Sequence, residues 1–235
     1  MPFPGKLSGR PVRALLKETA AVGGIRRAVG IATMNALGTC WERAALPDVE
    51  LTAGVDAYDT AAIQPGDHVA GVRAFVAFLK SLKRARQRFT VLEIDPATLR
   101  TDGLPYDRPY AQAGEMLPSA DVLLITGTTL LNDTLEHLLV SCRPVVSCRP
   151  AARVVAVGPT VSLLPEPFLS RGVDVLSGIP VTAPDRFLDV LAEGGFGYSF
   201  LRPLGGEGCP EAPRGRTASG SACARYAGRD PSPRQ

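Results

Sequence analysis

The sequence predicts an α/β protein: a Rossmann-like parallel sheet with helices on both faces, an N-terminal helical segment and a disordered C-terminal tail. Short, nearly continuous apolar segments alternate with helical ones from residue 65 to residue 195, which is typical of a parallel sheet covered on both faces. After about residue 203, Gly, Pro, Ser and Arg dominate and no apolar period remains. Such a segment buries too little apolar surface to offset the entropy of ordering.

Three regions follow from this pattern. Residues 1–50 are expected to form a helical segment that packs on the core, residues 51–203 the Rossmann-like domain, and residues 204–235 the tail. Within the first region, Ser8 or Gly9 with an early Pro11 marks a helix over 8–22, and a second helix is expected over about 24–44.

The elements of the second region are predicted from their apolar spacing. The expected strands lie in "PGDHVAGV", "RFTVLEIDP", "ADVLLITGT", "ARVVAVGPT" and "VDVLSG". The expected helices lie in "AFVAFLKSLKRAR", "DTLEHLLV", "LPEPFLSRG" and "APDRFLDVLAEGG".

Composition excludes several classes of partner. The net charge is +3 and 6% of residues are aromatic, which argues against a nucleic-acid surface. No apolar run approaches the ~20 residues of a membrane span, and the N-terminus has prolines and glycines in place of a signal peptide's apolar core. We therefore expect a cytoplasmic protein without a membrane or nucleic-acid partner. A homodimer is left open.

The cysteines and histidines give no metal-binding pattern. Five cysteines, an odd number with no C-x-x-C pair, indicate free thiols. The duplicated "VSCRP" at 140–144 and 146–150 is interpreted as a lengthened surface connection rather than a thiol site. His68 and His137 have no nucleophile motif beside them, and both are expected to be structural.

Ligands of open parallel sheets bind beyond the carboxyl ends of the strands, so the candidate loops are 71–75, 93–96, 126–134 and 158–166. The first loop contains Gly71 and Arg73 but lacks G-x-G-x-x-G, and a dinucleotide pyrophosphate site is not supported. Glu93 ends the second strand of this series. It is either an acceptor for ribose hydroxyls or an exposed acid before a turn.

The segment "ITGTTLLNDTLEHLL" at 125–139 combines two signals. Asp133 and Glu136 have capping-box spacing, which predicts a helix with Asp133 as its N-cap. That spacing leaves Thr126, Gly127, Thr128, Thr129 and Asn132 unexplained. Hydroxyls and an amide beside a helix start can donate to an anion or a carbonyl, so we predict ligand contact here.

The segment "VGPTVSLLPEPF" repeats this arrangement of strand, turn and helix. Thr160 and Ser162 either cap the following helix or face a ligand.

These segments resemble the putative heavy-metal chelation family, whose domain has no established function. The matching segments cover about residues 5–201 in order: "GKLSGRP", "VGIATMNAL", "GVDAYD", "GDHVAGV", "TVLEIDP", "ADVLLITGTTLLNDTLEHLL", "VGPTVSLLPEPFLSRGVDVLSG" and "GGFGYSF". The resemblance implies a Rossmann-like C-terminal domain that normally follows a small domain similar to the N-terminal fold of enolase. It also implies a site between the two domains.

Carried over by motif, the implied ligand-binding residues are Asn35, Glu93, Thr126, Gly127, Thr128, Asn132, Thr134, Gly158, Pro159 and Thr160. Three departures from the family pattern are expected to alter this site. The small N-terminal domain is expected to be missing, Arg73 stands where the family usually has glycine, and Asp133 stands where glycine tends to follow the asparagine.

Three functions remain open at this point. The first is binding of a heavy metal or a metal chelate, with the metal arriving on a ligand or held by oxygens such as those of Glu93 and Asp133. The second is an enzyme that uses a nucleotide-like cofactor such as S-adenosylmethionine, with Glu93 on the ribose. The third is a truncated, inactive paralogue. Neither a resident cofactor nor a catalytic residue is identified.

Overall fold

The computed structural model describes residues 7–41, 49–53, 57–73, 76–93, 106–141, 152–162, 164–179, 184–195 and 222–226. Its strands are β1 Val49–Ala53, β2 His68–Val72, β3 Arg88–Glu93, β4 Asp107–Pro109, β5 Val122–Thr126, β6 Arg153–Val157, β7 Val175–Gly178 and β8 Ala222–Tyr226. They form one sheet in the order β1-β8-β7-β6-β5-β2-β3-β4.

The six strands from β7 to β4 in this order are mutually parallel. Their order, 4-3-2-5-6-7, corresponds to the 3-2-1-4-5-6 order of dinucleotide-binding sheets. The Rossmann-like α/β fold expected from the alternation of apolar strands and helices is therefore confirmed. The chain reverses its direction of strand addition between β2 and β5.

The other two strands, β8 and β1, are antiparallel additions beside β7. β8 comes from the segment 204–235, where the composition predicts disorder, and at Ala222–Tyr226 the structure differs from that expectation. A sheet edge supplies backbone partners, so a short segment can be ordered there without an apolar period of its own. The remainder of the segment lies outside the described residues.

The helices are α1 Val12–Leu16, α2 Gly24–Trp41, α3 Ala57–Thr60, α4 Val76–Arg84, α5 Ala113–Met116, α6 Leu135–Ser141, α7 Glu166–Leu169 and α8 Pro184–Ala192. Among the described residues, short 3-10 helices cover Lys17–Ala20, Tyr110–Gln112, Leu117–Ser119, Gly127–Leu130 and Pro159–Val161. No helix in the described parts of the chain is both long and apolar enough to cross a membrane.

Each face of the sheet carries its own buried cluster. On one face, Val72, Leu92 and Ile125 pack with residues of α6 and α7, among them Leu138 and Leu169. On the other face, residues such as Val91 and Leu124 pack with α3 and α4. Because strand side chains alternate between faces, strands buried on both faces must be apolar throughout, as the sequence predicts.

The N-terminal helices pack tightly against each other. The predicted helix 8–22 is divided into α1 and the 3-10 helix Lys17–Ala20, and α2 crosses that 3-10 helix at Gly30. A Cβ on Gly30 would lie 2.8 Å from the backbone carbon of Glu18, so only glycine permits this crossing. Arg26 and Glu18 then form an ion pair across the same junction.

Candidate ligand site at the carboxyl ends of the strands

Three predicted site elements lie side by side at the carboxyl edge of the sheet. Val72 is in register with Leu92 on β3 and with Ile125 on β5. The residues that follow Val72, Leu92 and Ile125 are Arg73, Glu93 and Thr126, so these three lie in one row across the point where strand order reverses. Open α/β sheets bind ligands in the crevice at this point.

Arg73 and Glu93 interact at this edge. Arg73 Nε lies 3.8 Å from Glu93 Oε1, and the Glu93 side chain is 2% exposed whereas that of Arg73 is 38% exposed. A buried carboxylate requires a compensating partner, and the guanidinium supplies it from the solvent side. Arg73 also has a backbone φ of 65°, a conformation that residues other than glycine rarely adopt. In this backbone conformation the Arg73 guanidinium lies beside the buried Glu93 carboxylate.

The threonines at the end of β5 and in the turn that follows it have two different roles. Thr129 is 1% exposed, and its hydroxyl donates to the Thr126 carbonyl at 2.9 Å, so it stabilises the turn. The hydroxyls of Thr126 and Thr128 bond to each other and are only partly buried. Since each hydroxyl has one donor and two acceptor positions, this pair can still interact with a ligand.

Gly127 and Gly158 bring the loops after β5 and β6 together. A Cβ on Gly127 would lie 2.9 Å from the Cβ of Thr160, so the close approach requires glycine. Gly158 has φ of 121°, and its N–H donates to the Ser177 carbonyl at 2.9 Å. The predicted turn Gly158-Pro159-Thr160 thus forms one wall of the site, directly against Gly127.

Asn35 joins this wall from the N-terminal region. Its Nδ2 donates to the Pro159 carbonyl at 2.9 Å, which ties α2 to the loop after β6. Its Oδ1 is buried and has no hydrogen-bond partner among the described residues. A buried acceptor without a donor is costly, and a ligand N–H or O–H would satisfy it.

Asn132 and Thr134 lie in the loop between β5 and α6, which follows the carboxyl end of β5. Asn132 is exposed, and its Oδ1 accepts a hydrogen bond from Thr134 Oγ1 at 2.7 Å. Both side chains therefore support the loop that leads to α6.

The predicted capping box of Asp133 and Glu136 does not form. Asp133 has φ of 64°, whereas an N-cap residue needs an extended conformation. The first helical hydrogen bond runs from Leu138 N–H to the Thr134 carbonyl, which makes Thr134 the N-cap position. Asp133 instead accepts a hydrogen bond from Arg27 at 2.8 Å. Glu136 pairs with Arg171, whose Nε lies 3.4 Å from Glu136 Oε1.

The described residues do not fit a metal ion held directly by the protein. No group of three or more His, Cys, Asp or Glu side chains occurs among them. Glu93 is held by Arg73, and Asp133 by Arg27. His68 lies at the amino end of β2, where its Nε2 is 3.0 Å from Thr90 Oγ1, remote in the sheet from the candidate site. Cys142, Cys148 and Cys209 lie outside the described residues.

One residue near this edge was not predicted from the sequence. Tyr110 follows β4, whose last residue Pro109 is in register with Glu93. Its hydroxyl is buried without a hydrogen-bond partner among the described residues, and burial raises the pKa of the phenol. Nothing in "YDRPYAQ" predicts that the Tyr110 hydroxyl is buried, because the strand before it has only three residues.

Comparison with known proteins identifies related chains. A sequence model of the DUF364 family, described as "Putative heavy-metal chelation", matches residues 56–205. An uncharacterized protein of Methanocaldococcus jannaschii is 31% identical over 121 residues, which make up 51% of this chain and 43% of that protein. The match thus spans less than half of that relative's length.

Two solved structures share the fold. One is a Pyrococcus horikoshii protein of unknown function from the DUF364 family. It has a TM-score of 0.68 at 18% identity, and the match covers 94% of this chain and 78% of that one. A second such protein, from Desulfitobacterium hafniense, has a TM-score of 0.61 at 20% identity, over 93% of this chain and 75% of that one. The family match covers more than half of the sequence, and this chain belongs to the DUF364 family of putative heavy-metal chelation proteins.

Proposed function

We propose that this protein binds a heavy metal as a complex with a small organic chelator, at the carboxyl ends of β2, β3, β5 and β6. The observation that carries the proposal is the chemistry of this edge. It offers hydroxyls, an amide oxygen and an arginine–glutamate pair, but no cluster of three metal ligands among the described residues. Such groups recognise an organic molecule by hydrogen bonds better than they coordinate a bare ion.

Each polar group has a role in this proposal. The Thr126–Thr128 hydroxyl pair donates to carboxylate oxygens of the chelator. Arg73 contributes a positive charge at the mouth of the site, where its side chain is 38% exposed and can pair with an anion. The unpartnered Oδ1 of Asn35 accepts from a hydroxyl or amine of the ligand.

The test compares free metal, free chelator and complex by isothermal titration calorimetry, with nickel, citrate and nickel citrate as probes. We expect the complex to bind most tightly. Thr128→Val should weaken it about fivefold to tenfold, since a hydrogen bond contributes about 1 kcal/mol. Thr33→Val is the matched control, because the Thr33 hydroxyl bonds only its own helix at Val29 among the described contacts. Binding of free nickel as tight as that of the complex, and equal in both variants, would contradict the proposal.

A second candidate is a nucleotide-like ligand such as S-adenosylmethionine, and the position of Glu93 favours it. Glu93 is 3% exposed and ends the strand that lies next to β2, away from the point of reversal. An acid at this position of Rossmann-like sheets accepts hydrogen bonds from ribose hydroxyls. S-Adenosylmethionine should then raise the melting temperature of the native chain but not of Glu93→Gln. Stabilisation by this compound alone, without any response to nickel citrate, would replace the first candidate by the second.

A further inference from the structure

A cavity of about 460 Å³ lies between α2 and the segment that contains α6 and α7. Its apolar walls are formed by Ile31, Met34, Leu37, Leu130, Leu135, Leu164 and Phe168. None of the ten ligand-binding residues implied by the family resemblance lines it, although Thr129 and Asp133 from the predicted loop 126–134 do. Its wall belongs to the sheet face covered by α6 and α7, because Phe168 is part of the cluster on that face and Leu130 and Leu135 pack against that cluster.

The α2 wall of the cavity is one stripe of the helix. Arg27, Ile31, Met34 and Gly38 are spaced by four, three and four residues, which places them on one face. Met34 is 37% exposed and Leu37 is 38% exposed. Apolar side chains that line a concave space and remain this accessible are typical of a pocket for a small apolar molecule.

Charged side chains lie at the mouth of the cavity. Of its two arginines, Arg27 is less exposed to solvent than Arg171. The Arg27 side chain is 19% exposed, whereas its partner Asp133 is 79% exposed. The second pair, Arg171 and Glu136, is exposed at 54% and 69%. A guanidinium sheltered from water forms stronger charge-assisted hydrogen bonds. An entering carboxylate can therefore join or replace Asp133 on Arg27.

We propose that this cavity is a second ligand site, which binds a monocarboxylate with an apolar body. The carboxylate lies on Arg27, and the body lies against Ile31, Met34 and Phe168. At ~30 Å³ per water molecule the cavity has room for roughly fifteen waters, a volume that suits a medium-length acyl chain or a small ring system. The proposal does not depend on the chelate site.

Calorimetric titration with a homologous series tests the apolar part. Hexanoate, octanoate and decanoate should bind with rising affinity, up to about fourfold for each added methylene. Decanamide, which has the same chain without the charge, should bind more weakly than decanoate. Equal affinity along the series would refute the apolar site, and equal affinity of decanoate and decanamide would refute the role of Arg27.

Two variants locate the site. Arg27→Met keeps an apolar stem but removes the charge, and should weaken decanoate about tenfold to a hundredfold. Arg13→Met on α1 is the control, since Arg13 is exposed and outside the cavity.

Met34→Trp should fill the cavity and weaken the binding of decanoate at least as much as Arg27→Met does. Ile25→Trp controls for it, because Ile25 is 52% exposed on the same helix and does not line the cavity.

Two outcomes distinguish this inference from the chelate proposal. Thr128→Val should leave decanoate affinity unchanged, and a loss of both decanoate and nickel citrate in that variant would mean one shared site. Light scattering should show the same molar mass for the native chain and Met34→Trp. No decanoate binding, together with an oligomer that Met34→Trp dissociates, would assign the cavity to contact with a second copy and overturn the proposal.

Discussion

Gly127 and Thr160 lie so close that a methyl group on Gly127 would be 2.9 Å from the Thr160 Cβ. The same methyl group would lie 3.0 Å from Val161 Cγ1. The contact joins the loop after β5 to the loop after β6 at the carboxyl edge of the sheet. The close approach of the two loops therefore depends on one glycine. Both loops carry predicted ligand residues, so the shape of the candidate site depends on it as well.

Gly127→Ala should therefore destabilise the protein by about 1–3 kcal/mol, the usual cost of inserting a group into a packed contact. Urea unfolding at equilibrium measures the change. Gly114→Ala is the control, because a Cβ there would meet no atom within 4 Å apart from its chain neighbours and the nearby backbone of its own helix, and alanine suits the helix α5. A native-like unfolding midpoint in Gly127→Ala would show that the loops can separate without cost.

The conformation of Asp133 predicts an order of stability between two variants. Asp133→Gly and Asp133→Ala both lose the bond to Arg27, but only glycine tolerates φ of 64° without strain. The alanine variant should be less stable by about 1 kcal/mol. At Glu136, in the helix α6, the order should reverse, since alanine favours a helix over glycine. Thermal or urea unfolding of the four variants makes the comparison.

The Glu18–Arg26 pair predicts a dependence of stability on pH. The hydrogen bond from Arg26 lowers the pKa of Glu18 below its ordinary value of 4.5, although burial opposes the shift. A lowered pKa contributes stability that is present above pH 4.5 and is lost as pH falls through the lower, folded-state value. The advantage of the native chain over Glu18→Gln should therefore shrink in this acid range.

Urea unfolding at a series of pH values measures this advantage. Arg26→Gln should remove most of it, whereas Glu115→Gln, at an exposed position, should change little. An advantage over Glu18→Gln that stays constant down to strong acid would show that the ion pair does not couple to folding.

The buried hydroxyl of Tyr110 predicts a neutral or stabilising substitution. Since this hydroxyl has no partner among the described residues, Tyr110→Phe should leave stability unchanged or raise it by up to about 1 kcal/mol. Tyr106→Phe is the control, because Tyr106 is 37% exposed and stacks on Phe89. A loss of more than about 1 kcal/mol in Tyr110→Phe would reveal a bond that the hydroxyl makes.

The same residue predicts behaviour at high pH. Burial raises the pKa of Tyr110 above its ordinary value of 10.0, so the folded state retains the proton more strongly than the unfolded state. Its contribution to stability is complete below pH 10.0 and is lost as pH rises through the raised value. Tyr110→Phe should lack this loss.

Much of the central fold could be predicted because its signals are local. The predicted strands around β2, β3, β5, β6 and β7 and the helices between them occur in the structure, since each has an apolar run or a helical period of its own. β1 and β8 were not predicted. Their five-residue segments "VELTA" and "ACARY" are ordered by pairing with each other and, for β8, with β7, and such distant pairing has no local signature.

The candidate site shows the same limit. The spacing of Asp133 and Glu136 predicts a capping box, but spacing contains no information about φ, and the left-handed backbone at Asp133 rules the cap out. Likewise, Arg73 was recognised as a departure in the first loop, whereas its contact with buried Glu93 depends on the pairing of β2 with β3.

By itself, the sequence determined the α/β class, the family and the loops that end the parallel strands, because apolar periodicity and short motifs are properties of neighbouring residues. Only the tertiary structure decided which loops meet, which acids are paired with arginine, and that α2 encloses an apolar cavity with α6 and α7. These relationships join residues as far apart as Arg27 and Asp133. They arise from the packing of elements against each other, which no single segment specifies.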